Sequence, residues 1–323
     1  MANKTLQIGI IGRHFGSNVH AAAFRLSNRC DVVANASRDW HSIVENPEID
    51  AISIAVPPKA QTEIARRALE LKKHVLMEKP ATADRKAAAD LLELAQKNHV
   101  TAMIDFELPF MKTWIEAKKK LDDGEIGRLE NVQITWKTLS FSKGEYDSSW
   151  KFNAADGGGM LSNFGSHVFN YVEHFFGRAQ SLRCERQFVT HSGNIKLDVA
   201  VDLTMLTRTK VPITVKMDGR GAKPLHRIEI TGNRGTLTLE NMGSDYVSGF
   251  ILKKGRDVVA TEKHASEHGD GRIWAVHQVI NRFLESAETG KLNAPSLYDA
   301  VRSEELIELA AKSNTIGQEV PAL

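Results

Sequence analysis

The residues best suited to hold a phosphate-bearing ligand stand at a turn near the start of the chain. Gly9-Ile10-Ile11-Gly12-Arg13-His14-Phe15-Gly16-Ser17 closes an apolar run and opens a helical pattern. Backbone N–H groups at such a turn, backed by a helix N-terminus, favour a pyrophosphate provided that no Cβ blocks its approach. The spacing G-x-G-x-x-G is not intact. Counted from Gly12, His14 takes the place of the second glycine and Ser17 that of the third, with Gly16 out of register. Gly12, His14, Phe15, Gly16 and Ser17 are thus the expected phosphate-binding residues, although a turn of this kind also serves as a plain structural connection. About 20 residues further on, an NAD site carries an acid for the ribose hydroxyls. Here Ser37 and Arg38 occupy that place. A hydroxyl and a guanidinium suit a 2′-phosphate, so NADP is favoured. Asp39 keeps NAD open, and Arg38 can equally be a surface residue in a short loop.

Glu78-Lys79-Pro80 follows the apolar run His74-Val75-Leu76-Met77. The C-terminal ends of strands are where open α/β sheets bind ligands. Glu107, after Asp105-Phe106, stands at another such end and serves either the cleft or a structural salt bridge. His264 and His268 have i, i+4 spacing with Asp270 nearby, but Gly269 and Gly271 interrupt any helix there. No metal site is expected. Cys30 and Cys184 have no ligand spacing, cannot make a disulfide framework, and read as packing residues.

These residues need elements to position them. Strands are predicted at residues 6–11, 31–36, 51–56, 74–77 and 100–104, with a helix at about 19–26 and amphipathic stretches around Ile64, Ala68, Leu69 and around Ala88, Leu91, Leu92, Ala95. Strand and helix in alternation predict a parallel sheet with crossover helices. From about Arg128 the rhythm changes to period two: Val132, Ile134, Trp136, then Val199, Val201, Leu203, Met205, then Ile213, Val215, Met217. Gly232-Asn233-Arg234-Gly235 reads as a hairpin connection. This is a half-buried, mostly antiparallel sheet with one face free to pack on helices or another subunit. Helices are predicted from Arg272 to Glu288 and from about Leu297 to Lys312. The fold class is α/β, a Rossmann-type domain over residues 1–107 followed by an α+β domain with a large open sheet over 108–323. The final helix is expected to pack back on the first domain.

At 323 residues two domains are the better expectation, and 42% hydrophobic with 25% charged residues is ordinary for a globular protein. A net charge of +2 and the absence of a dense basic stretch argue against a nucleic-acid track. Lys118-Lys119-Lys120, the longest positive run, has Asp122 and Asp123 just behind it and reads as a solvated helix face. MANKT passes straight into a strand, leaving no room for a signal peptide, and no apolar run approaches the length of a membrane span. A soluble, cytoplasmic protein is expected.

The strand ends Ile54-Ala55-Val56-Pro57-Pro58 and Glu78-Lys79-Pro80 resemble those of the Gfo/Idh/MocA oxidoreductase family. Gly124-Glu125-Ile126-Gly127, Ser149-Trp150-Lys151, the run Gly157-Gly158-Gly159-Met160-Leu161-Ser162-Asn163-Phe164-Gly165-Ser166-His167, residues 230–237 and residues 310–317 follow in the same order. The resemblance implies NAD(P)-dependent hydride transfer on a sugar, cyclitol or polyol, and a homodimer or homotetramer formed through the open sheet. By motif position it implies Lys79 as the catalytic lysine, His167 as the histidine near the substrate, and Asn163 beside it. Val56, Pro57, Glu78 and Lys79 would line the cofactor, and Trp150 and Lys151 would approach it from the second domain. The chemistry is consistent: an ammonium stabilises a developing alkoxide, and an imidazole takes a proton near neutral pH.

The chain departs from that family in three places. His14 replaces a glycine. Almost nothing lies between Arg38 and Ile43, where the family has a helix and a short strand. Asn163 and Asn170 stand where aspartates are frequent, and an amide neither accepts a proton nor raises imidazole basicity as a carboxylate does. These departures leave open a second reading, a non-catalytic relative that senses a ligand or regulates.

Overall fold

The computed structural model describes residues 5–36, 38–141, 149–191, 195–262 and 269–322. The chain forms two compact units, one of Met1–Glu107 with His268–Glu304, the other of Leu108–Glu267 with Glu305–Leu323.

The first unit is built on five parallel strands: β1 (Leu6–Ile11), β2 (Cys30–Ala36), β3 (Ala51–Ile54), β4 (His74–Met77) and β5 (Ala102–Ile104). All residues of β3 and β5 are buried, as a parallel sheet covered on both faces demands. The connections carry α1 (Ala21–Arg25), α2 (His41–Val44), α3 (Pro58–Glu70) and α4 (Arg85–Lys97). Pro58 opens α3, where its fixed φ suits the first turn. Asp84 caps α4 by accepting from the Ala87 N–H at 2.8 Å. The strand order is β2-β1-β3-β4-β5. The chain therefore steps from β1 to one side, then returns across β1 to the other, and such a reversal opens a crevice at the strand ends. Among the described residues, the four-residue α2 is the one regular element between β2 and β3, and β2 is the edge of this sheet. The shortening expected after the second strand is thus a missing strand beyond β2 among the described residues.

The second unit contains α5 (Lys112–Asp122), β6 (Leu129–Lys137), α6 (Ser166–Phe176), β7 (Ala179–His191), β8 (Ile195–Thr207), β9 (Pro212–Asp218), β10 (Leu225–Gly232), β11 (Gly235–Asn241), β12 (Ile251–Lys254) and β13 (Asp257–Thr261). After α7 (Gly271–Thr289) and α8 (Leu297–Ile316), the short β14 (Val320–Pro321) completes a nine-stranded sheet of order β13-β12-β11-β10-β6-β9-β8-β7-β14. The β6–β9 pair is parallel, and the other neighbours run antiparallel. Period two holds as expected: in β9, Ile213, Val215 and Met217 are buried while Pro212, Thr214 and Lys216 are exposed. Trp114 of α5 fills the inner face, its ring 5.1 Å from Tyr171 and 5.2 Å from Phe250.

One boundary differs from the expectation. Helix α7 belongs to the first unit, not to a second domain spanning 108–323. Its apolar face packs on α1, with Phe283 6.3 Å from Phe24, His277 Nδ1 2.9 Å from the Ala23 carbonyl, and Glu288 paired with Arg29 at 2.6 Å. Among the described residues no helix is long and apolar enough to cross a membrane.

Candidate active site

In the first unit the glycine turn sits where the strand order reverses. Gly12 donates its N–H to the Ala36 carbonyl at 3.0 Å, and the Ala55 N–H reaches the Ile11 carbonyl at 2.8 Å, so the ends of β1, β2 and β3 are fastened together. Gly12 has φ +145°, and a Cβ there would fall on the Ala55 carbonyl. Only glycine fits without strain. Gly16 is buried and opens the first helical turn, Gly16–His20, which runs on into α1. Ser17 Oγ lies 2.8 Å from the Gly12 carbonyl and 3.1 Å from Asn35 Oδ1, holding the turn against β2. His14 is exposed and Phe15 half-buried, with the Arg272 guanidinium 5.3 Å over the Phe15 ring. Arg38 is exposed just past the end of β2. Ser37 lies outside the described residues, as do His264 and His268.

The end of β4 is held more elaborately. The Glu78 N–H donates to the Ile54 carbonyl at 2.8 Å, and the Lys79 N–H donates to Glu78 Oε2 at 2.7 Å. The Lys79–Pro80 peptide is cis. Gln61 of α3 is buried, and its Nε2 faces the carbonyls of Glu78, Pro80 and Ala81 at 2.5, 3.1 and 3.1 Å. A turn with three inward carbonyls needs such a donor, because buried acceptors left unpaired are costly. Lys79 itself is half-buried, and Val56 and Pro57 flank the neighbouring β3 end. Burial pushes the Glu78 carboxyl up, against the pull of Lys79, and Asp105 pushes it further. Glu107, wholly buried, is pushed well above the usual carboxylate range by burial and then by Asp105 and Glu78.

In the second unit the run from Gly157 to His167 is shaped by backbone contacts. The Gly159 N–H donates to the Lys151 carbonyl at 3.0 Å. A Cβ on Gly158 would meet the Trp150 and Lys151 carbonyls at 2.6 Å, and one on Gly159, at φ +104°, would collide with the Asp198 carboxylate. Asp198 accepts from the Leu161 N–H at 2.8 Å and starts the wide turn Leu161–Gly165 that leads into α6. Burial raises the Asp198 carboxyl. Asn163 and His167 are both buried, one helical turn apart. The His167 ring lies 5.8 Å from Trp136 and 6.3 Å from Tyr246. Trp136 stacks on His226 at 4.0 Å, and His226 Nε2 lies 3.2 Å from the Tyr171 hydroxyl. Trp150 is half-buried in a short helical turn, and Lys151 is exposed.

Residues 9–106 match the model of an oxidoreductase family with an NAD-binding Rossmann fold, and residues 114–238 match the GFO/IDH/MocA C-terminal domain. Together the two matches span more than two-thirds of the chain. The chain belongs to the GFO/IDH/MocA oxidoreductase family. The oxidoreductase sll0816 of Synechocystis sp., itself uncharacterised, is 28% identical over 97% of this chain and 95% of its own length. A levoglucosan dehydrogenase solved in complex with NADH and levoglucosan superposes with a TM-score of 0.86 at 17% identity, covering 99% of this chain and all of that one. KijD10, a 3-ketoreductase from Actinomadura kijaniata in complex with NADP and TDP-benzene, gives 0.81 at 19% identity over 96% of this chain and 98% of that one. These likenesses carry the GFO/IDH/MocA fold across the whole length.

As a member of that family, the chain is an oxidoreductase, and its first unit places Gly12, Gly16 and Ser17 at the turn after β1 and Lys79 just past β4. Sequence reasoning missed several polar groups near these positions. His20, Ser53 and Asp105 are buried polar residues set singly among apolar neighbours, and periodicity reads them as core. Gln61 was hidden in the apolar face of α3. Tyr246 lies in the polar loop after β11, and no pattern in the sequence points to it. Among the described residues Glu107 forms no salt bridge, and its Oε1 is buried without a partner.

Proposed function

We propose that this oxidoreductase transfers a hydride between a nicotinamide cofactor, NADP in preference to NAD, and a carbinol carbon of a sugar, cyclitol or polyol. The observation that carries the reading is the C-terminal edge of the parallel sheet. There the Gly12 cradle at the strand-order reversal and Lys79 at the next strand end but one occupy the crevice in which such sheets bind ligands. The residues fit a dinucleotide: a backbone turn that admits no Cβ at Gly12, with the His14 side chain directed to solvent. Bound there, the nicotinamide ring takes up or gives the hydride.

The remaining chemistry falls to the chain. Lys79, fixed by the Glu78 contact and the Gln61 clamp, supplies positive charge to the substrate oxygen as its proton leaves. His167, held in the first turn of α6, takes that proton in oxidation and returns it in reduction, and Asn163 orients a substrate hydroxyl. Arg38 at the β2 end pairs with a 2′-phosphate, and Trp150 and Lys151 contact cofactor or substrate. The relatives that bind levoglucosan, NADH or NADP support the substrate class and leave both cofactors in play. An open sheet face supports a homodimer or homotetramer.

Titration of the purified chain with NADPH and with NADH, read by fluorescence, tests this. NADPH is expected to bind more tightly, and Arg38→Ala to weaken it about ten- to hundredfold, the worth of one charge-assisted bond, while sparing NADH. If neither nucleotide binds at millimolar concentration, the chain is a non-catalytic relative that kept the fold.

A further inference from the structure

Within the first unit, four side chains meet beneath the strand ends, and of these only Glu78 has a part in the site described above. His20 comes from the first helical turn, Ser53 from β3, Glu78 from the end of β4 and Asp105 from the end of β5. His20 is 0% and Asp105 1% exposed. His20 Nδ1 lies 2.7 Å from Ser53 Oγ. On the other side of the ring, Nε2 lies 3.2 Å from Asp105 Oδ2. That pair is close but misaligned: among the described residues, neither His20 Nε2 nor either Asp105 oxygen has a hydrogen-bond partner. One ligand atom from each of His20, Glu78 and Asp105 lies within 4.8 Å of the other two.

Buried nitrogen and carboxylate atoms left in this way are costly unless a proton or a metal cation lies between them. Two atoms bound to one tetrahedral ion at about 2.0–2.2 Å stand roughly 3.3 Å apart, close to the separation seen here. Ser53 accepting from Nδ1 would leave the lone pair on Nε2, which is how a second partner commonly orients a metal-bound histidine. Glu107, two residues beyond Asp105, is a further buried acid. We propose that His20, Glu78 and Asp105 form a binding site for a divalent first-row transition-metal ion. One imidazole and two carboxylates suit Zn²⁺ or Mn²⁺. The ion would tie the first helical turn to the ends of β4 and β5, bracing the backbone from which Lys79 projects.

The site does not depend on nucleotide binding, and its test requires none. Tag-free chain is stripped with EDTA, titrated with Zn²⁺ by calorimetry, and separately loaded with Co²⁺ to read visible ligand-field absorption. One ion per chain is expected, with a Co²⁺ band of low-symmetry nitrogen–oxygen coordination. His20→Gln and Asp105→Asn should each abolish the band and weaken Zn²⁺ at least tenfold, and EDTA should lower the melting temperature of the parent chain but not of Asp105→Asn. Should His20→Gln fail to fold by circular dichroism, the near-isosteric Asp105→Asn carries the comparison alone. Absence of one-to-one binding in the parent chain, or full affinity retained in the folded variants, overturns the proposal.

Discussion

At the scale of single residues, the departures from the glycine signature sort themselves by where side chains point. His14 replaces a glycine without filling the cradle, since its side chain is exposed. Gly12 has no such freedom: its φ of +145° and the Ala55 carbonyl leave no place for a methyl group. Gly12→Ala is therefore expected to cost about 1–3 kcal/mol of stability and to weaken both nucleotides by tenfold or more, because the backbone must shift where a pyrophosphate would lie. His14→Gly should change nucleotide affinity by less than threefold. Paired titrations decide the matter, and an unchanged affinity in folded Gly12→Ala would mean that the turn does not contact the phosphates. The same view accounts for Gln61. Its single amide faces three carbonyls of the Lys79 turn, so its influence on that lysine passes through the backbone and not through contact with substrate.

Elements give some motifs a structural reason of their own. Gly124-Glu125-Ile126-Gly127 and the hairpin between β10 and β11 lie against each other: Asn233 and Arg234 donate their N–H groups to the Arg128 and Ile126 carbonyls at 3.0 Å, and the Arg128 N–H returns to Asn233 Oδ1 at 3.0 Å. Gly127, at φ +76°, faces the Asn233 side chain so closely that a Cβ would overlap it. Gly127→Ala should lower the stability of the chain by about 1–3 kcal/mol in urea unfolding while leaving nucleotide affinity unchanged in the folded protein. A loss of affinity there would refute a purely structural role. Strands and their order were legible because continuous apolar runs and strict alternation leave little choice of face. The missing strand beyond β2 was legible from the few residues between Arg38 and Ile43. The allegiance of α7 was not, since an amphipathic face announces that it will be buried and not against which partner. The His20 group was illegible for a related reason: its members come from four segments, His20, Ser53 and Asp105 each standing alone among apolar neighbours, and Glu78 drew notice only beside Lys79.

At the scale of the molecule, the two units carry ionisable groups that push stability in opposite directions with pH. In the first, without a bound ion, the Glu78 and Glu107 carboxyls are raised above their ordinary values, so folding favours their protonated forms. That contribution is complete below about pH 4.5 and is lost as pH rises through the folded values. In the second, burial holds the His226 imidazole neutral and lowers it from 6.5 to about 3. The unfolded chain binds a proton that the folded chain refuses, so stability at this site is full above about pH 6.5 and falls between there and pH 3. The slope is at most about 1.4 kcal/mol per pH unit. Asp198, also raised by burial, works against that fall in the acid part of the range. Urea midpoints followed by near-UV circular dichroism, which reports on the Trp136–His226 stack, should therefore decline from pH 7 to pH 5. His226→Gln, which removes the titrating group but keeps an acceptor near the Tyr171 hydroxyl, should flatten that decline while lowering the plateau. Glu107→Gln, in EDTA, should leave the acid decline in place and raise the midpoint at pH 8 relative to the parent chain. An acid slope that survives His226→Gln unchanged would assign the loss to other groups and remove the buried imidazole as its cause.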